Sequence, residues 1–173
     1  MNDLLLLATL LGGPQHGYAL KKQVGLITGQ REMHNNLVYP LLRGFGQNGW
    51  ISKRTAAGQR GQTREVYALT TKGKQELLRR LGQFTNKEAA SESAFRLRVG
   101  LFSVLDSATQ KRIVTERDLW LAVRGEQLAR LATAMNLGVW GAEVVRFFRE
   151  ETRRERRWIA SLKRKIERQA SRK

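Results

Sequence analysis

Apolar positions along this chain recur mostly three and four residues apart, the spacing of one helix face, and they alternate in only one segment. The run LLLLATLL at residues 4–11 opens after Asp3, which predicts a capped first helix ending at Gly12-Gly13, where Pro14 forbids continuation. Residues 16–28 predict a second helix with Leu20, Val24 and Ile27 on one side, stopped by Gly29. A third follows in NNLVYPLLRGFGQNGWI, residues 35–51. There Val38, Leu41, Leu42 and Phe45 share a face, and Asn36, Leu37, Tyr39, Pro40, Arg43 and Gln47 fall elsewhere. A proline is tolerated near a helix start, where its missing N–H has no helical partner, so Pro40 predicts a start at Asn35 or Asn36 with asparagine as cap. Asn48-Gly49 supplies the stop.

Beyond that stop the pattern changes. WISKRT and REVYALT are rich in β-branched and aromatic residues and are joined by AAGQRGQT, which predicts a two-stranded hairpin with a flexible tip. Thr70 or Thr71 caps a fourth helix through Leu77, Leu78 and Leu81. From about residue 89 the pattern is helical throughout. AFRLRVGLFSVL reads as one apolar helix, and Ser107 with Gln110 forms a capping box for a long helix through Ile113, Val114, Leu121, Leu128, Leu131 and Met135. After an interruption at residues 136–141, a last helix covers about 142–168. It is apolar at Val144, Val145, Phe147 and Phe148, and again at Trp158, Ile159, Leu162 and Ile166.

Charge alters this picture more than length does. The 173 residues hold 32 Lys and Arg against 15 Asp and Glu, a formal net charge of +17. The excess is shared, with 12 basic and 4 acidic residues up to residue 81 and 20 and 11 beyond it, so a basic tail does not account for it. Such a balance points to a polyanionic partner. With no cysteine, thiolate metal sites and disulfides are excluded, in agreement with a reducing, cytoplasmic setting. The eight-residue run at 4–11 is too short to cross a bilayer and lacks the flanks of a secretory signal. His16 and His34, each placed at a helix start, do not form a catalytic constellation, and no glycine-rich phosphate loop or useful carboxylate pair accompanies them. The expectation is a binding protein without enzymatic activity, cofactor or metal.

The order of three helices, basic hairpin and helix over the first 82 residues is that of a helix-turn-helix with a wing. Lys53, Arg54, Arg60 and Arg64 stand on the hairpin with only Glu65 in opposition. Directly after a helix sized for the major groove, they read as phosphate contacts. HGYAL at 16–20, LVYPLLR at 37–43, GWI at 49–51 and YALTTKG at 67–73 together resemble the PadR family of bacterial transcriptional regulators. FRLRVGLFSVLD and Trp158 are the looser anchors of a likeness to that family's longer, helical C-terminal region. The resemblance implies a mainly α fold, with a winged helix-turn-helix over 1–82 and an all-helical dimerisation domain over 83–173. It also implies a homodimer on double-stranded operator DNA, usually a repressor, often released by a small aromatic effector, with no membrane role.

Carried over by position, Asn35, Asn36, Leu37, Tyr39 and Arg43 meet DNA from the recognition helix. Tyr18 and Lys22 meet phosphate from the second helix, and Lys53, Arg60 and Arg64 act from the wing. Leu37 departs from the small hydroxyl residue usual there, as do Gly44 and Gly46 from Arg and Glu. Phe102, Trp120, Trp140, Phe148 and Trp158 are candidates for an effector pocket or a dimer interface. The cluster Arg153, Arg154, Arg156 and Arg157 has three open readings: pairing with Glu150, Glu151 and Glu155 across a dimer, a solvated face, or a second phosphate-binding surface. A non-specific, nucleoid-type nucleic-acid-binding protein is the alternative function.

Overall fold

The computed structural model describes residues 2–27, 33–57, 63–134 and 136–171. It divides into two units, residues 1–83 and 84–173. The fold is mainly helical with a small antiparallel sheet.

In the first unit, α1 (Asn2–Thr9) buries Leu4 to Leu7 and tightens into one 3-10 turn, Leu10–Gly12, which Gly13 ends at φ +116°. Asp3 lies inside the first turn of α1 and ion-pairs Arg80 at 2.7 Å, where a cap in front of the helix was expected. Gln15–His16 then form β1, a strand that two residues between Pro14 and Gly17 could not announce. The sheet therefore has three strands, in the order β1-β3-β2, with β2 at Ile51–Ala57 and β3 at Thr63–Leu69. Gln15 pairs with Tyr67 and His16 with Val66, so His16 belongs to a strand and not to a helix start.

Helix α2 (Gly17–Ile27) buries Leu20 and Val24, but Ile27 is solvent-exposed, contrary to its place on the expected apolar side. The predicted end at Thr28 and Gly29 lies outside the described residues. In α3 (Asn35–Gln47), Val38, Leu42 and Phe45 are buried and Leu41 is half-buried. Its start corrects the capping expectation. His34 occupies the cap position without a side-chain bond, its carbonyl accepting from Leu37 at 3.0 Å and Val38 at 3.2 Å, so Asn35 and Asn36 are the first helical residues. Pro40 is thus inside the helix, and the Asn36 carbonyl receives no helical hydrogen bond from it. Both residues are exposed, so water can satisfy that carbonyl.

The stop of α3 follows from local chemistry. Gly49 takes φ +69°, its N–H donates to Gly46 at 2.9 Å, and the Trp50 N–H donates to Phe45 at 2.9 Å. This is the paired-bond helix terminus that a left-handed glycine permits, and the Phe45 and Trp50 rings, 5.7 Å apart, close it with an apolar contact. The Trp50 carbonyl then accepts from the Thr70 N–H at 3.0 Å, and the Thr70 hydroxyl lies 2.7 Å from the Gly49 carbonyl and 3.0 Å from that of Trp50. The same Thr70 oxygen accepts the Gly73 N–H at 3.0 Å, capping α4 (Thr71–Gly82), which buries Leu77 and Leu81. One residue therefore fastens the end of α3, the base of the hairpin and the start of α4.

The second unit is built on two long helices, α7 (Ser107–Ala134) and α8 (Gly138–Ala170), preceded by the short α5 (Asn86–Ala89) and α6 (Glu92–Gly100). The expected single helix over residues 94–105 is broken. After Gly100 the chain turns through Leu101 into a 3-10 segment, Phe102–Val104. The cap of α7 also lies one residue earlier than Ser107. Asp106 accepts from the Thr109 N–H and hydroxyl, both at 2.8 Å, while Gln110 turns inward and donates to the carbonyls of Phe102 at 2.6 Å and Leu105 at 2.9 Å. A carboxylate reaching its own third neighbour outcompetes the next serine for the role. Met135 lies outside the described residues, and α8 starts at Gly138, four residues before the expected point.

Phe84, Ala89, Phe95, Ile113, Val114, Leu121, Ile159, Leu162 and Ile166 form the core of this unit. Two arginines lie within it. Arg98 donates to the Ala94 carbonyl at 3.1 Å, pairs with Glu88 and stacks on Phe84. Arg117 forks onto Glu155 at 2.8 and 2.7 Å, donates to the Ala89 carbonyl at 2.5 Å and lies over Trp120, so a fully partnered buried charge ties α7 to α8 and α5.

Candidate nucleic-acid interface

Four elements of the first unit, β1, α2, α3 and β3, converge on one open concavity of about 600 Å³, lined by His16, Gly17, Tyr18, Ala19, Tyr39, Arg64, Glu65 and Tyr67. Packing at the start of α2 explains the convergence. A Cβ on Gly17 would meet the Tyr67 ring at 3.4 Å and the Tyr39 ring at 3.5 Å, so this backbone sits directly against both rings. Tyr39 leans on it with its inner side and remains 43% exposed, and Tyr18 projects into solvent. The Lys21 ammonium donates to the Asn35 side chain at 3.0 Å, joining α2 to the first residue of α3.

Asn36, Leu37, Tyr39 and Arg43 all lie on the solvent side of α3. Among the described residues, Asn36 and Arg43 have no side-chain partner, and Lys22 is exposed on α2. Strand alternation separates the wing cations. Lys53 shares a face with Glu65 and ion-pairs it, and Glu65 also accepts the Tyr67 hydroxyl at 2.6 Å. That ion pair holds the Glu65 carboxyl below its usual range, whereas burial and the bond to Glu65 push the Tyr67 phenol up. Arg54 and Arg64 lie on the opposite face, exposed and without a protein partner among the described residues. Arg60 lies outside the described residues. Lys21, which the sequence reading passed over, is visible only once α2 and α3 are placed side by side.

The aromatic candidates of the second unit separate as well. Trp120, Phe148 and Trp158 line a groove of about 760 Å³ between α7 and α8, together with Arg96, Arg117, Arg124 and Arg154. Phe102 packs against the core, and Trp140 is 83% exposed near the start of α8. Arg124 was not singled out by sequence. Its guanidinium stacks between Trp120 at 5.5 Å and Phe148 at 5.4 Å, and its spacing of four residues from Trp120 on a helix was the available signal. Among the described residues no cluster of His, Asp or Glu could hold a metal ion, and no helix is long and apolar enough to cross a membrane.

No curated protein matches the chain. Among solved structures, a protein of Thermoplasma acidophilum described as a transcriptional regulator is 32% identical over 44% of this chain and 72% of its own, with a TM-score of 0.41. Bacillus subtilis PadR, solved in complex with operator DNA, is 22% identical over 95% of this chain and 98% of its own, with a TM-score of 0.46. RosR of H. salinarum is 25% identical over 59% of this chain and 87% of its own, with a TM-score of 0.42. Residues 6–79 match the Transcriptional regulator PadR-like family, and through them the chain belongs to that family, one of transcriptional regulators and not of enzymes.

Proposed function

We propose that the chain is a homodimeric, operator-binding repressor whose α3 lies in the major groove. The observation that carries this reading is the solvent side of α3. Asn36, Leu37, Tyr39 and Arg43 face outward there, with Tyr18 and Arg64 beside Tyr39 in a single concavity. The major groove admits one helix, and Arg43 offers a planar fork to guanine or phosphate. Arg54, Arg64, Lys22 and, from the sequence, Arg60 supply phosphate contacts, while Lys53 is largely neutralised by Glu65. A second copy is favoured by the exposed apolar side chains of the second unit: Leu119 and Val123 on α7, and Val139, Trp140, Val144 and Phe147 on α8. Two recognition helices about a twofold axis put half-site centres about 10 base pairs apart, and occupancy of a promoter blocks transcription. The groove between Trp120, Phe148 and Trp158, with the Arg124 guanidinium between the first two rings, suits a small aromatic effector.

The test is gel-shift titration on duplex from the chain's own promoter against scrambled duplex of equal length. Arg43→Ala and Tyr39→Ala weaken promoter binding by about 1–3 kcal/mol each while the sedimentation of the dimer is unchanged. Unchanged affinity in both variants rejects this placement of α3. The net charge of +17 favours a second reading, sequence-independent binding, which predicts equal affinity for both duplexes at physiological salt.

A further inference from the structure

The second unit carries a cationic face of which only Arg154 also borders the groove lined by Trp120, Phe148 and Trp158. From Thr152 onward, α8 turns Thr152, Ile159, Leu162 and Ile166 inward. At 100° per residue, Arg153, Arg154, Arg157, Arg164, Lys165 and Arg168 fall on the opposite side. All six are exposed, and among the described residues none has an ion-pair or hydrogen-bond partner, unlike Arg156 and Lys163, which share Asp118 at 2.9 and 2.7 Å. The six span about 22 Å of helix at 1.5 Å per residue. Glu151, three residues before Arg154, and Glu167, at the margin of this face, are the carboxylates of α8 that form no ion pair among the described residues, so six cations face two free acids.

We propose that this face of α8 is a second docking surface for the phosphate backbone of duplex DNA, distinct from α3 and the wing. The reading of the protein as DNA-binding enters only in the choice of duplex DNA among polyanions. Charge complementarity selects a polyanion, because six unpaired cations on one turn-spaced face repel one another unless phosphates neutralise them. A second copy of the chain is a poor occupant, since eight of the eleven carboxylates in residues 84–173 already sit in ion pairs within the unit. A membrane surface is equally poor. Surface-bound helices oppose a basic face with a buried apolar one, whereas beyond Arg149 Trp158 is the only large apolar side chain of α8 substantially exposed among the described residues. Contact through phosphates alone carries no sequence information, so this surface adds affinity and salt dependence equally on every duplex.

The experiment uses the full chain with Arg153, Arg157, Arg164 and Arg168 all changed to Gln, and a companion with all four changed to Lys. Affinity for promoter and scrambled duplexes is measured between 50 and 300 mM salt. The Gln variant is expected to flatten the slope of log affinity against log salt by about 2–4, from roughly 0.9 for each lost phosphate contact per chain. It weakens both duplexes by the same factor, and the Lys variant restores the slope. An unchanged slope overturns the proposal, as does a slope restored by neither charge nor position in the Lys variant. Altered sedimentation of the Gln variant, or lost binding confined to single-stranded RNA or anionic vesicles, also overturns it by assigning the face to another occupant. Failure of the α3 reading looks different, because Arg43→Ala then leaves the promoter-to-scrambled ratio untouched whatever the α8 variant does.

Discussion

Gly73→Ala sets two forces of opposite sign against each other. Within a helix, alanine is favoured over glycine by about 1 kcal/mol, so propensity alone makes the substitution stabilising. The structure demands the reverse. A Cβ at Gly73 would sit 1.9 Å from the Trp50 carbonyl oxygen, 2.7 Å from its carbon and 2.9 Å from Leu69 Cδ1. Restoring contact distance means moving backbone by at least about 1 Å in a close-packed region. The displaced carbonyl is the one that accepts the Thr70 N–H, and the displaced helix start is the one that donates to the Thr70 hydroxyl. Losing those two bonds, the second of which is the cap of α4, costs about 1–2 kcal/mol each. Net of propensity, the loss is about 1–3 kcal/mol. Urea unfolding followed by circular dichroism should show a midpoint lowered by about 1 M, given slopes of 1–3 kcal/mol per M. Hydrogen exchange adds a local readout, with the Thr70 and Gly73 amides losing protection while those of α7 keep theirs. A raised midpoint, with the Thr70 amide still protected, would refute the close-approach argument and leave propensity as the deciding effect.

Arg117→Met strands the Glu155 carboxylate in the second unit and removes the donor to the Ala89 carbonyl, so it should cost about 3–5 kcal/mol by urea titration, whereas Arg117→Met with Glu155→Leu should recover most of that loss. If the double variant is as unstable as the single, the pair is not the source of the cost. Glu76, bonded to Arg79 at 2.7 Å and Arg80 at 2.6 Å, has its carboxyl held down at about 2 against an ordinary 4.5. Because the folded value is the lower one, its stabilisation is complete above about pH 4.5 and is lost as pH falls from there towards 2. Glu76→Gln should therefore lower the melting temperature at pH 7, match the parent near pH 2, and show a smaller deficit in high salt.

The elements that depend on short-range pattern were legible in the sequence: the helices before the hairpin, the hairpin itself, and a threonine cap for α4, although Thr70 and Thr71 were equal candidates and Thr70 is the one that caps. What escaped depended on contacts between distant segments. The strand Gln15–His16 exists because Val66 and Tyr67 lie beside it, and two residues carry no periodicity of their own. Asp106 and Ser107 are both competent caps, and only the path of the chain out of the 3-10 segment decides between them. Pro40 marked the start of α3 at Asn35 or Asn36, and the helix begins at Asn35, but the cap given to asparagine falls to His34, whose side chain makes no capping bond. In the candidate site, composition showed that the wing is basic, but the pleat decides which cations keep their charge unspent: Lys53 faces Glu65, and Arg54 and Arg64 do not. The aromatic residues of the second unit were identifiable as a class, while the Arg124 stack that separates Trp120 and Phe148 from Trp140 needed α7 and α8 in register.

The fastening around Trp50 also makes the hairpin an interchangeable cartridge. Both ends of the 51–69 segment are clamped by the same few bonds, so the angle at which the wing leaves the body is set before its outer half begins. Lengthening or recoding the segment between Ala57 and Thr63 should therefore leave α3 where it is, so the outer part of the hairpin can vary without redesigning the helix before it.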